Sequence, residues 1–154
     1  MENGPTIRIR RASPGEVIDL RHAVLRAGLA RETAIFPGDE DAAARHFVAE
    51  TADGRIVGTL TLHLNKWQGE PAWQLRGMAV EPALQGARVG GQLLRAAEQS
   101  VLDDGPTGLL WCNARVPAIR FYEKHGWTIA SDPFDVPTAG PHVKMIKRLD
   151  GTVR

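Results

Sequence analysis

One junction narrows the choice of fold more than any other feature of this chain. Met78-Ala79-Val80 closes a strand-like run, a loop continues through Gly86, and a helix begins around Val89-Gly90-Gly91. That helix shows in the apolar spacing Val89, Leu93, Leu94, Ala97, Val101 and stops at Asp103-Asp104-Gly105-Pro106. A strand passing through a glycine-rich loop into a helix belongs in a layered α/β arrangement. It also offers an anion site, because the helix-start N–H groups are crowded by little side-chain bulk at Gly86, Ala87, Gly90 and Gly91. A diphosphate suits such a cradle; tight strand–helix packing alone would ask for the same small residues. The segment contains neither G-x-x-x-x-G-K-S/T nor G-x-G-x-x-G, so the commoner phosphate loops do not describe it.

The elements around the junction read in the same way. Thr6 to Arg10 alternates as a strand, and Ser13-Pro14-Gly15-Glu16 starts a helix with an N-cap, a proline and a capping-box glutamate. Val17, Leu20, Val24 and Leu25 give this helix its apolar face, and Gly28 stops it. Residues 30 to 40 read as irregular, and Asp39-Glu40-Asp41 before Ala42-Ala43-Ala44-Arg45 predicts a short helix. His46–Glu50 and Arg55–Leu64 form a hairpin about Ala52-Asp53-Gly54, and Ala72–Val80 is the next strand. Leu109-Leu110-Trp111-Cys112 reads as a buried strand, followed by a helix from Pro117 through Tyr122 to His125. Trp127–Ala130 and His142–Ile146 complete the chain as strands. The order predicts a mixed sheet with helices on its faces.

Composition mainly excludes. With 19 Lys and Arg against 18 Asp and Glu, the net charge of +1 is far from what a protein coating nucleic acid or an anionic membrane would carry. One cysteine, Cys112, allows no internal disulfide and no multi-cysteine zinc site. No apolar run is long enough to span a bilayer, and residues 1–5 lead into no signal-peptide core. We therefore expect a single cytoplasmic domain with no nucleic acid, no membrane and no metal.

The junction resembles the acyl-CoA-binding signature of the GNAT superfamily of N-acetyltransferases, Q/R-x-x-G-x-G/A after a strand. Gln85 and Gly90 match its first and last positions, and Arg88 stands where the family usually has its first glycine. We expect an ordinary φ at Arg88, which would place its cation beside the phosphates. A second segment, Arg115 to Trp127, resembles the family's N-x-x-A-x-x-F/L-Y-x-x-x-G-F/W. Arg115 replaces the asparagine, Asn113 lies two residues earlier, and Tyr122 matches the family's recurrent general acid. The resemblance implies an α/β fold with a mixed, mostly antiparallel central sheet of about seven strands flanked by about four helices. It covers nearly the whole chain, read as one acetyltransferase domain over residues 1–154 with its core at 6–149.

The chemistry that this resemblance implies is direct transfer of an acetyl group from acetyl-CoA to a primary amine of a small molecule. Met78, Ala79, Val80, Gln85, Gly86, Ala87, Arg88, Val89, Gly90, Gly91 and Asn113 would bind the CoA ester, with backbone N–H groups of 78–80 facing the thioester oxygen. Tyr122 would protonate the departing thiolate. For the base, His46, His63, Glu50, Glu70, Glu81 and water are open. Cys112, inside an apolar strand, reads as a buried hydrophobe rather than a nucleophile. Arg21, Arg26, Trp73, Arg76 and His142 are the substrate-contact candidates; the three arginines, if they converge, would hold an anionic group. Acids predominate in residues 32–53, which could instead attract a cationic amine. Alternatives are a protein lysine or N-terminal acetyltransferase and a non-catalytic CoA-binding sensor, the latter prompted by Arg88 and Arg115. Exposed late strands are compatible with a homodimer.

Overall fold

The capping pattern near the amino terminus does what its residues predict. In the computed structural model, which describes residues 6–86 and 88–149, strand β1 (Ile7–Ala12) leads to a 3-10 turn over Pro14–Val17. That turn continues as helix α1 (Ile18–Leu25). The Ser13 N–H donates to the Glu16 carboxylate at 2.8 Å, and Arg10 donates to the same group, so Glu16 is held down at about 2. Strands β2 (Arg45–Thr51), β3 (Ile56–Leu64) and β4 (Trp73–Val80) follow, then helix α2 (Val89–Asp104) and strand β5 (Leu109–Arg115). Helix α3 (Ile119–Lys124) and strands β6 (Thr128–Ile129), β7 (Phe134–Val136) and β8 (Gly140–Arg148) complete the order.

The ladder order is β1-β2-β3-β4-β5-β8-β6 with β7 on β8, a mixed and mostly antiparallel sheet of the expected class. Among the described residues eight strands and three α-helices stand against the expected seven and four. Contacts divide the chain into two compact units, one of Met1–His63 and Arg76–Ser100, the other of Leu64–Leu75 and Val101–Arg154. In the first, β1 pairs antiparallel with β2 and β2 with β3. Strand β3 is buried except at its ends, and its buried polar residues Thr59, Thr61 and His63 are hydrogen-bonded to Phe47 O, His46 and Asp39. Gly58 lets α2 sit close: a Cβ there would lie 2.8 Å from Leu93 Cδ1 and 2.9 Å from Val89 Cγ1. Val17, Ile18, Ala34 and Val48 form a second apolar cluster of this unit.

In the other unit, Trp73, Gln74 and Leu75 pair parallel with Leu110, Trp111 and Cys112, and β5 pairs antiparallel with β8 along its length. Trp67, Ala72, Leu109 and Trp111 are its buried cluster, with Trp67 and Trp111 rings 5.5 Å apart.

Two expectations require correction. Residues 42–44 are turn, not helix. Gly38 takes φ +94°, and successive turn bonds run from Asp39 to Phe36, Asp41 to Gly38 and Ala44 to Asp41. The Asp39 carboxylate accepts from Phe36 N–H and Arg21 rather than capping a helix, and Arg45 enters the sheet at once. Tertiary contacts outweigh the modest propensity of three alanines. Strand β7 has too little pattern to be seen in sequence; three residues against β8 are held by the partner strand alone.

Candidate active site

The β4–α2 junction is built on backbone that leaves the ordinary regions three times. Gly77 within β4 has φ +67°, and a Cβ there would meet Arg21 Nε at 2.7 Å and Phe36 Cε2 at 3.2 Å, so glycine is required twice over. Beyond Val80, Glu81 N–H donates to Val57 O at 2.9 Å, and a 3-10 turn over Pro82–Leu84 carries the chain to Gln85. The Gln85 side chain donates to Val80 O at 3.0 Å, closing the loop on its own strand. Gly86 then takes φ +91° with no atom within 4 Å of an added Cβ. Ala87 lies outside the described residues.

Arg88 corrects an expectation: its φ is +72°, in the left-handed region, not ordinary. The family glycine at this position has a conformational reason, and an arginine there carries strain of about 1 kcal/mol. Val89 begins the 16 residues of α2. Helix-start N–H groups lack intrahelical partners and sit at the positive end of the dipole, and the open approach at Gly86 fits a diphosphate.

The other unit holds Tyr122, Asn113 and His142. Tyr122 on α3 is 5% exposed, its ring 5.3 Å from Trp127 and 5.2 Å from Phe121. Burial first, then the neighbouring Cys112 thiol, pushes its pKa well above the phenol value. Burial pushes the Cys112 thiol up to about 12, so Cys112 is a protonated hydrophobe. Asn113 is exposed and accepts from Lys144 Nζ at 2.9 Å. Trp73, expected to contact substrate, is 1% exposed and belongs to the core. His142 is buried beside Phe134, its Nδ1 donating to Gly140 O at 2.8 Å.

A polar cluster inside the first unit is the feature that pattern reading missed. Arg21, on the buried face of α1, is fully enclosed and donates to Asp39 at 2.6 and 3.1 Å, to Thr61 Oγ1 at 2.8 Å and to Ala34 O at 2.9 Å. Burial alone would raise the Asp39 carboxyl, but bonds from His63, Arg21 and Phe36 N–H outweigh it and hold it well below the carboxylate range. Phe36 collects the arginines: Arg21, Arg76 and Arg26 stand 4.0, 4.4 and 5.3 Å from its ring centre. The three predicted arginines thus converge, on an aromatic and an acid that no motif identifies. A buried arginine on a helix's apolar side was the available signal for Asp39.

The base candidates fare unequally. Glu50 pairs with Arg8 and Arg10, Glu70 with Arg148 and Glu81 with Arg55, so none of these three candidate carboxylates stands free as a base. His46 uses both ring nitrogens, on Thr61 Oγ1 and Asp39 O, and burial lowers its pKa. His63 Nε2 meets Asp39 Oδ1 at 3.1 Å; its Nδ1 is buried without a partner. Among the described residues no cluster of His, Cys, Asp or Glu could hold a metal, and no helix is long and apolar enough to cross a membrane.

Comparison with known proteins agrees with this geometry. A family model described as an acetyltransferase (GNAT) domain matches residues 42–129, more than half of the chain. The chain is 28% identical over 149 residues to the uncharacterized N-acetyltransferase YitI of Bacillus subtilis, covering 93% of this chain and 97% of that one. Escherichia coli ElaA shares the fold with a TM-score of 0.76 at 18% identity, over 93% of this chain and all of the other. An aminoglycoside 6'-N-acetyltransferase solved with coenzyme A does so with 0.72 at 16% identity, over 92% and 96%.

Proposed function

The chain belongs to the GNAT family of acyl-CoA-dependent N-acetyltransferases, and we propose that it moves the acetyl group of acetyl-CoA directly to a primary amine of a small molecule. The observation that carries the reading is the β4–α2 junction, where Gly86 and Arg88 turn the loop with positive φ into a long helix start. Gln85 to Gly91 binds the diphosphate through backbone N–H groups, and the guanidinium of Arg88 adds a charge at the same place.

When bound, acetyl-CoA supplies an activated acyl thioester. The N–H groups of Met78 to Val80 are the donors for its carbonyl oxygen; their aim is set by the Gly77 bend and by a parallel register with β5 that spans Trp73–Leu75. The amine nitrogen forms its bond to the acetyl carbon as the carbon–sulfur bond breaks. Tyr122, kept protonated by burial, gives the proton at Oη to the leaving sulfur. Of the base candidates the acids are ion-paired and His46 is fully bonded, which leaves His63 and water to take the ammonium proton. Asn113, exposed beside Lys144, completes the cofactor-side residues.

Tyr122→Phe tests the reading. Acetyl transfer, followed as free CoA release with an amine panel, should fall about 10²- to 10⁴-fold while equilibrium CoA binding is nearly kept. Unchanged turnover removes Tyr122 from the acid role.

A further inference from the structure

The arginines around Phe36 are not equivalent. Arg21 is committed to Asp39, Thr61 and Ala34 O. Arg26 donates to Thr33 O at 3.3 Å and to Leu25 O at 3.2 Å. Arg76, half-buried on β4, lies 4.4 Å over the ring of Phe36 and has no hydrogen bond or ion pair to its guanidinium among the described residues. Both oxygens of Asp39 are spent, Oδ2 on Arg21 and the Phe36 N–H, Oδ1 on Arg21 and His63. Arg76 therefore shares the ring of Phe36 with Arg21 beside a carboxylate that is already satisfied. Burial lowers the Arg76 pKa first, Arg21 and Arg26 lower it further, and Asp39 opposes them. A cation drawn out of water beside two others, with no counterion of its own, is costly unless something anionic completes it.

We propose that Arg76, supported by Phe36 and the Arg21–Asp39 pair, binds a carboxylate on the acceptor, so that the amine acetylated by this enzyme is one that carries a carboxylate group. This deepens the acetyl-transfer reading of the same protein and rests on it. The planar guanidinium offers two parallel donors, which a carboxylate accepts in bidentate fashion, and its central carbon rests 4.4 Å from the ring centre of Phe36. Selectivity follows from the unmet charge: a neutral amine leaves Arg76 desolvated and unpaired, whereas a carboxylate satisfies it.

The test compares matched acceptors by CoA release: amino acids, their methyl esters, the corresponding decarboxylated amines, and phosphoethanolamine. Wild type should favour the carboxylate forms, and Arg76→Gln should reduce the ratio of kcat/KM between acid and ester by about tenfold or more, through KM. Arg76→Lys should restore part of that ratio, and circular dichroism should show both variants folded. Equal activity on acids and esters in wild type, an equal loss on both in Arg76→Gln, or a preference for phosphoethanolamine overturns the proposal while leaving acetyl transfer standing. Absence of transfer to every amine would instead refute the acetyl-transfer reading. Calorimetric titration with the amino acids then judges the anion site alone: binding that Arg76→Gln weakens supports it, and no such binding overturns it.

Discussion

Asp39→Ala should be among the most damaging single substitutions in this chain, although nothing in its local sequence suggests so. The carboxylate accepts Arg21 Nη1 at 2.6 Å, Arg21 Nη2 at 3.1 Å, Phe36 N–H at 2.9 Å and His63 Nε2 at 3.1 Å. Without it Arg21, fully enclosed, remains a buried cation with two neutral acceptors, Ala34 O and Thr61 Oγ1. Breaking a buried pair by removing one partner costs about 3–5 kcal/mol. For a chain of this size the thermal midpoint moves by about 2–4 °C per kcal/mol, so a fall of about 6–20 °C is expected. Far-UV circular dichroism at pH 7 reads it, with Arg21→Met and the double variant completing a cycle. Because replacing both partners removes the stranded charge, the double variant should lose much less than the two singles together, with a coupling of about 2 kcal/mol or more. The pH sign is also fixed. The folded carboxyl is held below the unfolded value of about 3.9, so its contribution is complete above that pH and is lost as pH falls through the folded value. The gap between wild type and Asp39→Ala should therefore narrow only in strong acid. A loss below about 1 kcal/mol at pH 7, or additive single losses, would refute the reasoning.

Packing and backbone geometry set three further outcomes. Gly58→Ala should lower the melting midpoint by the equivalent of about 1–3 kcal/mol and weaken CoA binding, because the new methyl displaces Leu93 and the Val89 that begins α2; an unchanged midpoint contradicts this. Arg88→Gly should raise the midpoint by the equivalent of up to about 1 kcal/mol, while Arg88→Val should lower it, both read by circular dichroism. Cys112, buried and with its thiol pushed up to about 12, should resist iodoacetamide at pH 8 in the native protein and react on unfolding; fast native labelling would show the strand to be open.

The parts of the site that are legible in the sequence are those written in neighbouring residues. The passage from Met78 through Gly86 into Val89 carries its own strand, turn and helix signals, and the structure has β4, a loop and α2 at those residues. Tyr122 sits on a helix opened by Pro117 and stopped by Gly126, again a local message. Position 88 is not legible in this way: its side chain suggests a charge, whereas its backbone angle depends on how the loop must turn to meet α2. Residues 42–44 depart from the helical pattern because the acid before them answers to Arg21 and Phe36 rather than to a helix.

The sequence by itself determined the order of the longer strands and helices, the glycines that shape the loop, and the pair of motifs that mark the family, since each depends on spacing of a few residues. Only the tertiary structure decided that Arg21, Arg26 and Arg76 meet over Phe36 and that Asp39 satisfies one of them alone. The physical reason is reach. Hydrophobic period and turn chemistry act between neighbours along the chain, but the worth of a charge depends on what surrounds it once water has been removed. Those surroundings come here from α1, the turn before β2, and β4, which only the folded sheet brings into contact.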